Sequence, residues 1–344
     1  LGKGLIEKIG EPKSSVSDHS QGIKKIISDI LDSKVIQDLK DIAAVGHRVV
    51  HGGETFTKPH VIDSSVLKKI KECAPLAPLH NPANLSGIIG CQKFMPKTMQ
   101  VAVFDTAFHQ TMPAHAFIYS LPRKYYLKYK VRKYGFHGTS HQFVSQQAAQ
   151  ILNKPLSKTS LITCHLGNGC SITAVKGGKS IDTSMGFTPL EGLMMGTRSG
   201  DVDPAAVFFI MKHEGLSIEQ MDDILNKKSG LLGVSGLSND MRTVKKAKAR
   251  GDSLAKLAYG MFIYRIIKYI GAYALVLGSV DAICFTGGIG EHEKGVVNKV
   301  RSSINALFDS KIKILIIPTD EELMIAKLTK RVVSAEVTKK RGIQ

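Results

Sequence analysis

Two glycine-rich turns constrain this chain most, because each directly follows a short apolar strand. His165-Leu166-Gly167-Asn168-Gly169 follows Ser160-Leu161-Ile162-Thr163-Cys164. Thr286-Gly287-Gly288-Ile289-Gly290-Glu291 follows Val280-Asp281-Ala282-Ile283-Cys284-Phe285. A glycine turn after a strand lets backbone N–H groups approach an anion with no Cβ in the way. Two such turns suggest a nucleotide held at both ends, phosphates in one and base or ribose in the other. An ATP-using enzyme is the first expectation.

Strands and helices alternate along the chain, with a hairpin around Gly167-Asn168-Gly169, so the fold class is α/β with mixed sheets. Pattern and caps predict helices over 21–39, 64–74, 84–95, 141–152, 217–226, 253–277 and 320–335. They predict strands over 42–50, 99–104 and 313–317, and a proline-stiffened loop over 77–82. Thr139 or Ser140 is the expected cap of the 141–152 helix. The expected domain break lies near Asp105, where a strand gives way to a His- and Pro-containing loop.

Lys and Arg total 47 against 29 Asp and Glu in 344 residues, a formal charge of +18. The basic residues read as mostly scattered, with a denser run in the tail (Lys327, Lys330, Arg331, Lys339, Lys340 and Arg341) and without an aromatic-interleaved stripe. That favours a surface biased toward small anions over nucleic-acid or membrane partners. The five cysteines, Cys73, Cys91, Cys164, Cys170 and Cys284, are odd in number and widely spaced. They read as reduced thiols of a cytoplasmic protein. Cys164, His165 and Cys170 read as packing at a strand turn rather than as a zinc site. The apolar stretch 269–288 is broken by Asp281 and glycines, against a membrane span.

Several side chains could carry chemistry. Arg48 lies inside a strand, where a guanidinium needs a carboxylate or phosphate partner. Arg198 lies in Gly196-Thr197-Arg198-Ser199-Gly200, read as a flexible loop able to bring its charge onto a ligand. Two arginines beside a nucleotide suit phosphoryl transfer, where charge neutralisation is most of the catalysis. Asp105 ends a strand, where ligand sites concentrate in α/β sheets. His137 and His141 are four apart, but Gly138-Thr139-Ser140 lacks the glutamate of a metalloprotease, so His137 reads as a hydrogen-bond donor at a site mouth. Asn168 is a turn residue whose neighbours favour phosphate contact. Glu321 reads as a first-turn helix glutamate or a magnesium ligand.

Together these segments resemble the acetokinase family, the acetate kinases. The likeness runs through Val45-Gly46-His47-Arg48-Val49-Val50-His51-Gly52-Gly53, Leu76-Ala77-Pro78-Leu79-His80-Asn81-Pro82 and Val103-Phe104-Asp105-Thr106-Ala107-Phe108-His109. It continues in Tyr134-Gly135-Phe136-His137-Gly138-Thr139-Ser140-His141, Asp182-Thr183-Ser184-Met185-Gly186-Phe187-Thr188-Pro189 and Met195-Gly196-Thr197-Arg198. The resemblance implies two related ribonuclease H-like domains of the actin/Hsp70 type, with mixed sheets flanking an active-site cleft. It implies bounds of 1–106 plus 319–344 and of 107–318. It further implies a cytoplasmic homodimer that transfers the ATP γ-phosphoryl to acetate in line, giving acetyl phosphate and ADP with Mg²⁺, or with Mn²⁺ in its place.

Carried over by matching motif, Arg48 and Arg198 would bind the carboxylate and the transferring phosphoryl, and His137 would hydrogen-bond the phosphoryl. Asp105 would be the essential acidic residue, orienting an arginine or helping to position the reacting carboxylate. Val50, Leu79 and Pro189 would wall the methyl pocket. His165, Leu166, Gly167, Asn168 and Gly169 would face the phosphates. Asp240, Met241 and Arg242 with Gly288, Ile289, Gly290, Glu291 and His292 would hold adenosine, and Glu321 would help place the metal.

There are departures from the family pattern. The family's opening strand, which carries an Asn, serines and a Lys, has no counterpart here. Residues 12–20 and 307–313 look short, and His292 stands where the family usually has Asn. A polypeptide without the opening strand is expected to have little kinase activity, and one that carries it to be an intact enzyme. The alternatives are a propionate or butyrate kinase and a non-catalytic nucleotide-binding protein of the same fold.

Overall fold

A computed structural model describes residues 4–6, 9, 16–78, 80–307, 312–340 and 342. Leu79 and parts of the two short regions, 12–15 and 308–311, therefore lie outside the described residues. The chain packs as two compact units, Leu1–Ala107 with Glu321–Gln344, and Phe108–Asp320.

In the first unit, strands β1 (Ala44–Val49), β2 (His60–Val61) and β3 (Met99–Phe104) form a sheet in the order β1-β3-β2. β1 runs parallel to β3, and β2 antiparallel to it. Helices α1 (His19–Asp32), α2 (Ser64–Glu72) and α3 (Asn81–Phe94) accompany it. α1 stops at Asp32 rather than at 39, because Lys34 turns left-handed (φ 56°) and ends the helix. α3 starts inside the expected 77–82 loop. Pro82 sits in its first turn, where a missing N–H costs nothing. Val49, Phe56, Ile62, Val66, Ile70, Ile88, Ala102 and Phe104 form the core. Phe56 and Phe104 stack at 4.2 Å and 7°. Burying one such side chain contributes about 1.5–3 kcal/mol.

The second unit holds β4 (Ser160–Leu166), β5 (Cys170–Lys176), β6 (Lys179–Thr183), β7 (Ala282–Thr286) and β8 (Lys313–Ile316), in the order β6-β5-β4-β7-β8. β4, β5 and β6 are antiparallel neighbours, while β4, β7 and β8 are parallel. The sheet is therefore mixed, as the sequence implies. Its helices are α4 (Ala114–Phe117), α5 (Lys124–Tyr129), α6 (Gly138–Ile151), α7 (Pro204–Glu214), α8 (Ile218–Lys227), α9 (Gly230–Ser235), α10 (Met241–Ala249), α11 (Ser253–Leu277), α12 (Gly287–His292) and α13 (Lys294–Leu307). The last helix, α14 (Glu321–Lys340), returns to the first unit and packs on β1 and β3. Gly46 permits that approach: a methyl group there would lie 2.8 Å from Ile325 Cγ2.

α11 is capped by Asp252, whose carboxylate accepts from Ala255 N–H (2.7 Å), and ends at Gly278 with φ +75°. It is long and apolar enough to cross a bilayer. Its Ala255, Phe262, Ile266, Ile270 and Tyr273 instead form a buried face, and the helix packs against β5 and α9. Elsewhere on it Leu254, Leu257, Tyr264 and Leu275 are exposed, as are Phe208 and Phe209 on α7.

The basic residues are less evenly spread than the sequence reading holds. No Asp or Glu occurs between Asp105 and Asp182, and the stretch 123–134 interleaves Arg123, Lys124, Lys128, Lys130, Arg132 and Lys133 with four tyrosines. Cation–ring contacts such as Arg132 over Phe117 (3.6 Å to the centroid) tie part of this stretch down.

Candidate active site

Each unit carries one cluster of the expected side chains. In the first, the parallel register sets Arg48 of β1 opposite Val103, and Asp105 N–H donates to Val49 O (3.0 Å). That places the Asp105 carboxylate under the Arg48 guanidinium. Nε donates to both carboxylate oxygens at 3.0 Å, and Nη2 to Oδ2 at 2.7 Å. Nη1 has no hydrogen-bond partner among the described residues. The Asp105 side chain is 1% exposed and that of Arg48 44%. Burial pushes the Asp105 carboxyl up, and the Arg48 charge opposes that push. The Asp105 charge in turn raises Arg48 further. The fork of guanidinium N–H groups onto both carboxylate oxygens, one bond as short as 2.7 Å, is that of an ionised pair.

Glu321, at the start of α14, brings a carboxylate oxygen to 3.8 Å from Arg48 Nη2. After β1, Val50 N–H donates to Asn84 Oδ1 (3.1 Å) and His51 N–H to Asn81 Oδ1 (3.0 Å). These two asparagines fix the segment that leaves Arg48, and sequence reasoning missed both. The signal was available: Asn81 and Asn84 lie one turn apart beside a helix-starting Pro82. Val50 is largely buried.

In the second unit the two glycine turns are neighbours. β4 and β7 are parallel with His165 opposite Thr286, so both turns leave the same end of one sheet. A methyl group on Gly287 (φ +77°) would lie 2.8 Å from Leu166 O. The second turn is in fact the opening of α12, with Gly288, Ile289, Gly290, Glu291 and His292 helical. Glu291 bends back to accept from Gly287 N–H at 2.9 Å.

His137 is the residue before α6, held left-handed at φ 56°. Thr139 and Ser140 lie inside the helix and do not cap it. Ser140 Oγ instead bonds His165 Nδ1 (2.8 Å), and the His165 ring stacks on His137 at 4.2 Å. A methyl group on Gly169 would meet both Arg198 Nη1 and His137 Nε2, each at 3.5 Å. The guanidinium and the imidazole thus converge on the first glycine turn.

Arg198 has no carboxylate partner among the described residues. Nη1 reaches only Pro189 O (3.3 Å) and Met195 Sδ (3.9 Å). Burial lowers its pKa, the mark of a desolvated cation without a counter-ion. Its loop is not flexible. Gly196 N–H donates to Asn168 O, Ser199 N–H to Leu225 O, Ser229 N–H to Thr197 O and Leu231 N–H to Met195 O, all within 2.9–3.0 Å. Backbone bonds to three other segments hold it.

The remaining expected residues divide. Asn168 turns its amide oxygen to Asn239 Nδ2 (3.1 Å), close over Gly196, so it braces the Arg198 loop. Asp240 caps α10, and Arg242 Nη2 donates to its Oδ2 at 2.6 Å. Met241 is buried. His292 Nδ1 bonds Gly288 O (3.1 Å). Among the described residues no three His, Cys, Asp or Glu side chains form a metal cluster. Burial pushes the Cys170 thiol up to about 12, against a thiolate ligand.

The model of the acetokinase family matches residues 6–308. This chain belongs to the acetokinase family. It is 52% identical over 361 aligned positions to the acetate kinase of Thermotoga maritima, covering 96% of this chain and 90% of that protein. The crystal structure of Porphyromonas gingivalis acetate kinase superposes with a TM-score of 0.88 at 46% identity, covering 92% of this chain and 86% of that one. A propionate kinase from Francisella tularensis superposes with a TM-score of 0.87 at 45% identity, covering 94% and 86%. The acetokinase fold, two mixed α/β sheets, is that of these kinases.

Proposed function

We propose that this acetokinase transfers the γ-phosphoryl of ATP to acetate, reversibly, in one in-line step. An acetate oxygen attacks the γ-phosphorus, the bond to the β-phosphate oxygen breaks, and ADP leaves. One observation carries the reading: a desolvated guanidinium with no carboxylate partner among the described residues, Arg198, beside His137 Nε2 over a glycine turn. A fixed cation of this kind stabilises charge on a transferring phosphoryl without reorganising.

In this reading Arg198 and His137 act on the phosphoryl, and Arg48, held by Asp105, on the acetate carboxylate. Val50 and Pro189 limit the space for the methyl group, and Leu79, outside the described residues, takes the same role by its place in the motif. His165 to Gly169 offer backbone N–H groups to the phosphates. Asp240 to Arg242 and Gly288 to His292 take the adenosine, with Met241 contributing from within the core. Activity is measured as acyl phosphate trapped by hydroxylamine, with acetate, propionate and butyrate compared at fixed ATP in the full-length protein. Acetate is expected to give the highest kcat/KM. Butyrate in first place would reject acetate as substrate, and no product from any acid would reject the kinase reading. One methylene shifts binding by only ~1–3 kcal/mol, so activity on propionate is expected too.

A divalent cation is required in such chemistry, and Mg²⁺ fits this chain. Mg²⁺ uses one or two protein carboxylates, phosphate oxygens and water. Glu321 supplies one carboxylate, 20% exposed and 3.8 Å from Arg48 Nη2. When bound, the ion would neutralise phosphate charge, and Glu321 would hold it.

The same reading makes the protein a cytoplasmic homodimer. Support comes from the apolar surface of α7 and α11, where Phe208, Phe209, Tyr264 and Leu275 are each more than 60% exposed. Light scattering is expected to give twice the chain mass, and a monomer at micromolar concentration would refute the dimer.

A further inference from the structure

His137 needs a hydrogen on Nε2 if it is to donate to a phosphoryl oxygen. A neutral imidazole carries one N–H, and the bond made by the other nitrogen decides where it sits. His137 Nδ1 lies 2.9 Å from Ser171 Oγ. The same oxygen lies 2.7 Å from Nε2 of His141, whose Nδ1 lies 2.7 Å from Thr163 Oγ1. Ser171, His141 and Thr163 are fully buried. The chain of contacts therefore runs from the core to the site.

Its direction follows from satisfying each buried donor. The Thr163 hydroxyl has two acceptors in range: Thr173 O at 3.4 Å and His141 Nδ1 at 2.7 Å. An O–H donor bonds at about 2.5–3.0 Å, so 3.4 Å is too long and the proton lies toward His141 Nδ1. Donating elsewhere would leave a buried hydroxyl unsatisfied, at a cost of about 1–3 kcal/mol. Burial holds His141 well below its ordinary pKa, so the ring is neutral and its one hydrogen must be on Nε2. That N–H donates to Ser171 Oγ. Ser171 then has one hydrogen left to give, and His137 Nδ1 is its remaining acceptor.

We infer that Thr163, His141 and Ser171 are positioning residues that fix neutral His137 in the tautomer bearing hydrogen on Nε2. This rests on the phosphoryl role given to His137 above. It means that His137 carries its hydrogen on the nitrogen nearest Gly169 without first taking up a second proton. The stacked His165 ring, held by Ser140, keeps the plane of that donor fixed.

The test is nitrogen NMR of the full-length protein labelled with ¹⁵N-histidine, His137 being assigned by the loss of its signals in His137→Gln. Above the imidazole titration, His137 is expected to show a protonated Nε2 and a bare, pyridine-type Nδ1, and His141 the same pattern. Hydrogen on His137 Nδ1 instead would overturn the inference, whether or not the protein is a kinase. In the activity assay, Ser171→Ala is expected to lower kcat ~10-fold, about one hydrogen bond's worth, with KM for acetate nearly unchanged. Ser171→Thr, which keeps the hydroxyl, is expected to restore kcat. Loss of kcat in both variants to the same extent, with the fold intact, would count against positioning. No phosphorylated product from the wild type would reject the kinase reading and leave the NMR result standing.

Discussion

Arg198→Ala is expected to lower kcat for acyl phosphate formation by roughly 10³-fold while leaving stability unchanged or slightly raised. The rate loss follows from removing a fixed cation from a phosphoryl-transfer site, where single arginines supply ~10³–10⁵-fold. The stability expectation follows from surroundings that give Arg198 little: Pro189 O at 3.3 Å and a sulfur at 3.9 Å. A desolvated charge without a partner costs folding energy, so its removal relieves the native state. Arg198→Lys keeps the charge but loses the planar fork, and an intermediate loss is expected. Steady-state kinetics and a thermal melt on the same preparations decide the matter. A rate within a few-fold of wild type, or a melting loss large enough to explain the inactivity, would remove Arg198 from the chemistry.

Asp105→Asn is expected to act on both stability and rate. The substituted amide presents an NH₂ group to a guanidinium that can only donate, so one of the two acceptor oxygens is replaced by a repelling donor. Removing one partner of a buried pair costs about 3–5 kcal/mol. Arg48 is 44% exposed and can turn to water, so a loss nearer ~2–3 kcal/mol is expected. The freed Arg48 no longer has a fixed direction, and kcat/KM for acetate should fall ~10²-fold. Denaturant unfolding of Asp105→Asn, Arg48→Met and the double variant measures the coupling directly. A coupling energy below ~0.5 kcal/mol would show that the pair does not hold the site's first arginine in place.

Some of this was legible in the sequence. β3 matches its predicted span, Met99–Phe104, because five of its six residues are buried and Val101 to Phe104 form a continuous apolar run. α11 matches as well, since Asp252 and Gly278 mark its ends. α7 left no such trace: Pro204–Glu214 is apolar without a buried face, so no period appears. β2 and β6 are short strands defined by pairing with partners rather than by their own residues. Each cationic residue of the site could be picked out singly, but their surroundings could not. The left-handed turn at His137 is a conformation few non-glycine residues adopt, and it comes from tertiary packing. The Arg198 loop looked flexible because glycines flank it. The backbone bonds that hold it come from residues 168, 225, 229 and 231 and leave no pattern within the loop itself.

The return of α14 to the first unit has a consequence for the order of assembly during synthesis. The second unit is one continuous stretch, Phe108–Asp320, and can fold as it leaves the ribosome. The first unit cannot be finished then. Gly46 and the face of β1 beside it wait for Ile325 and Thr329, which are made only after the whole second unit. Glu321, which faces Arg48, belongs to the same late segment. The nascent chain therefore completes its second unit first and the surroundings of Arg48 last. In that interval Gly46 and its neighbours on β1 have no helix over them.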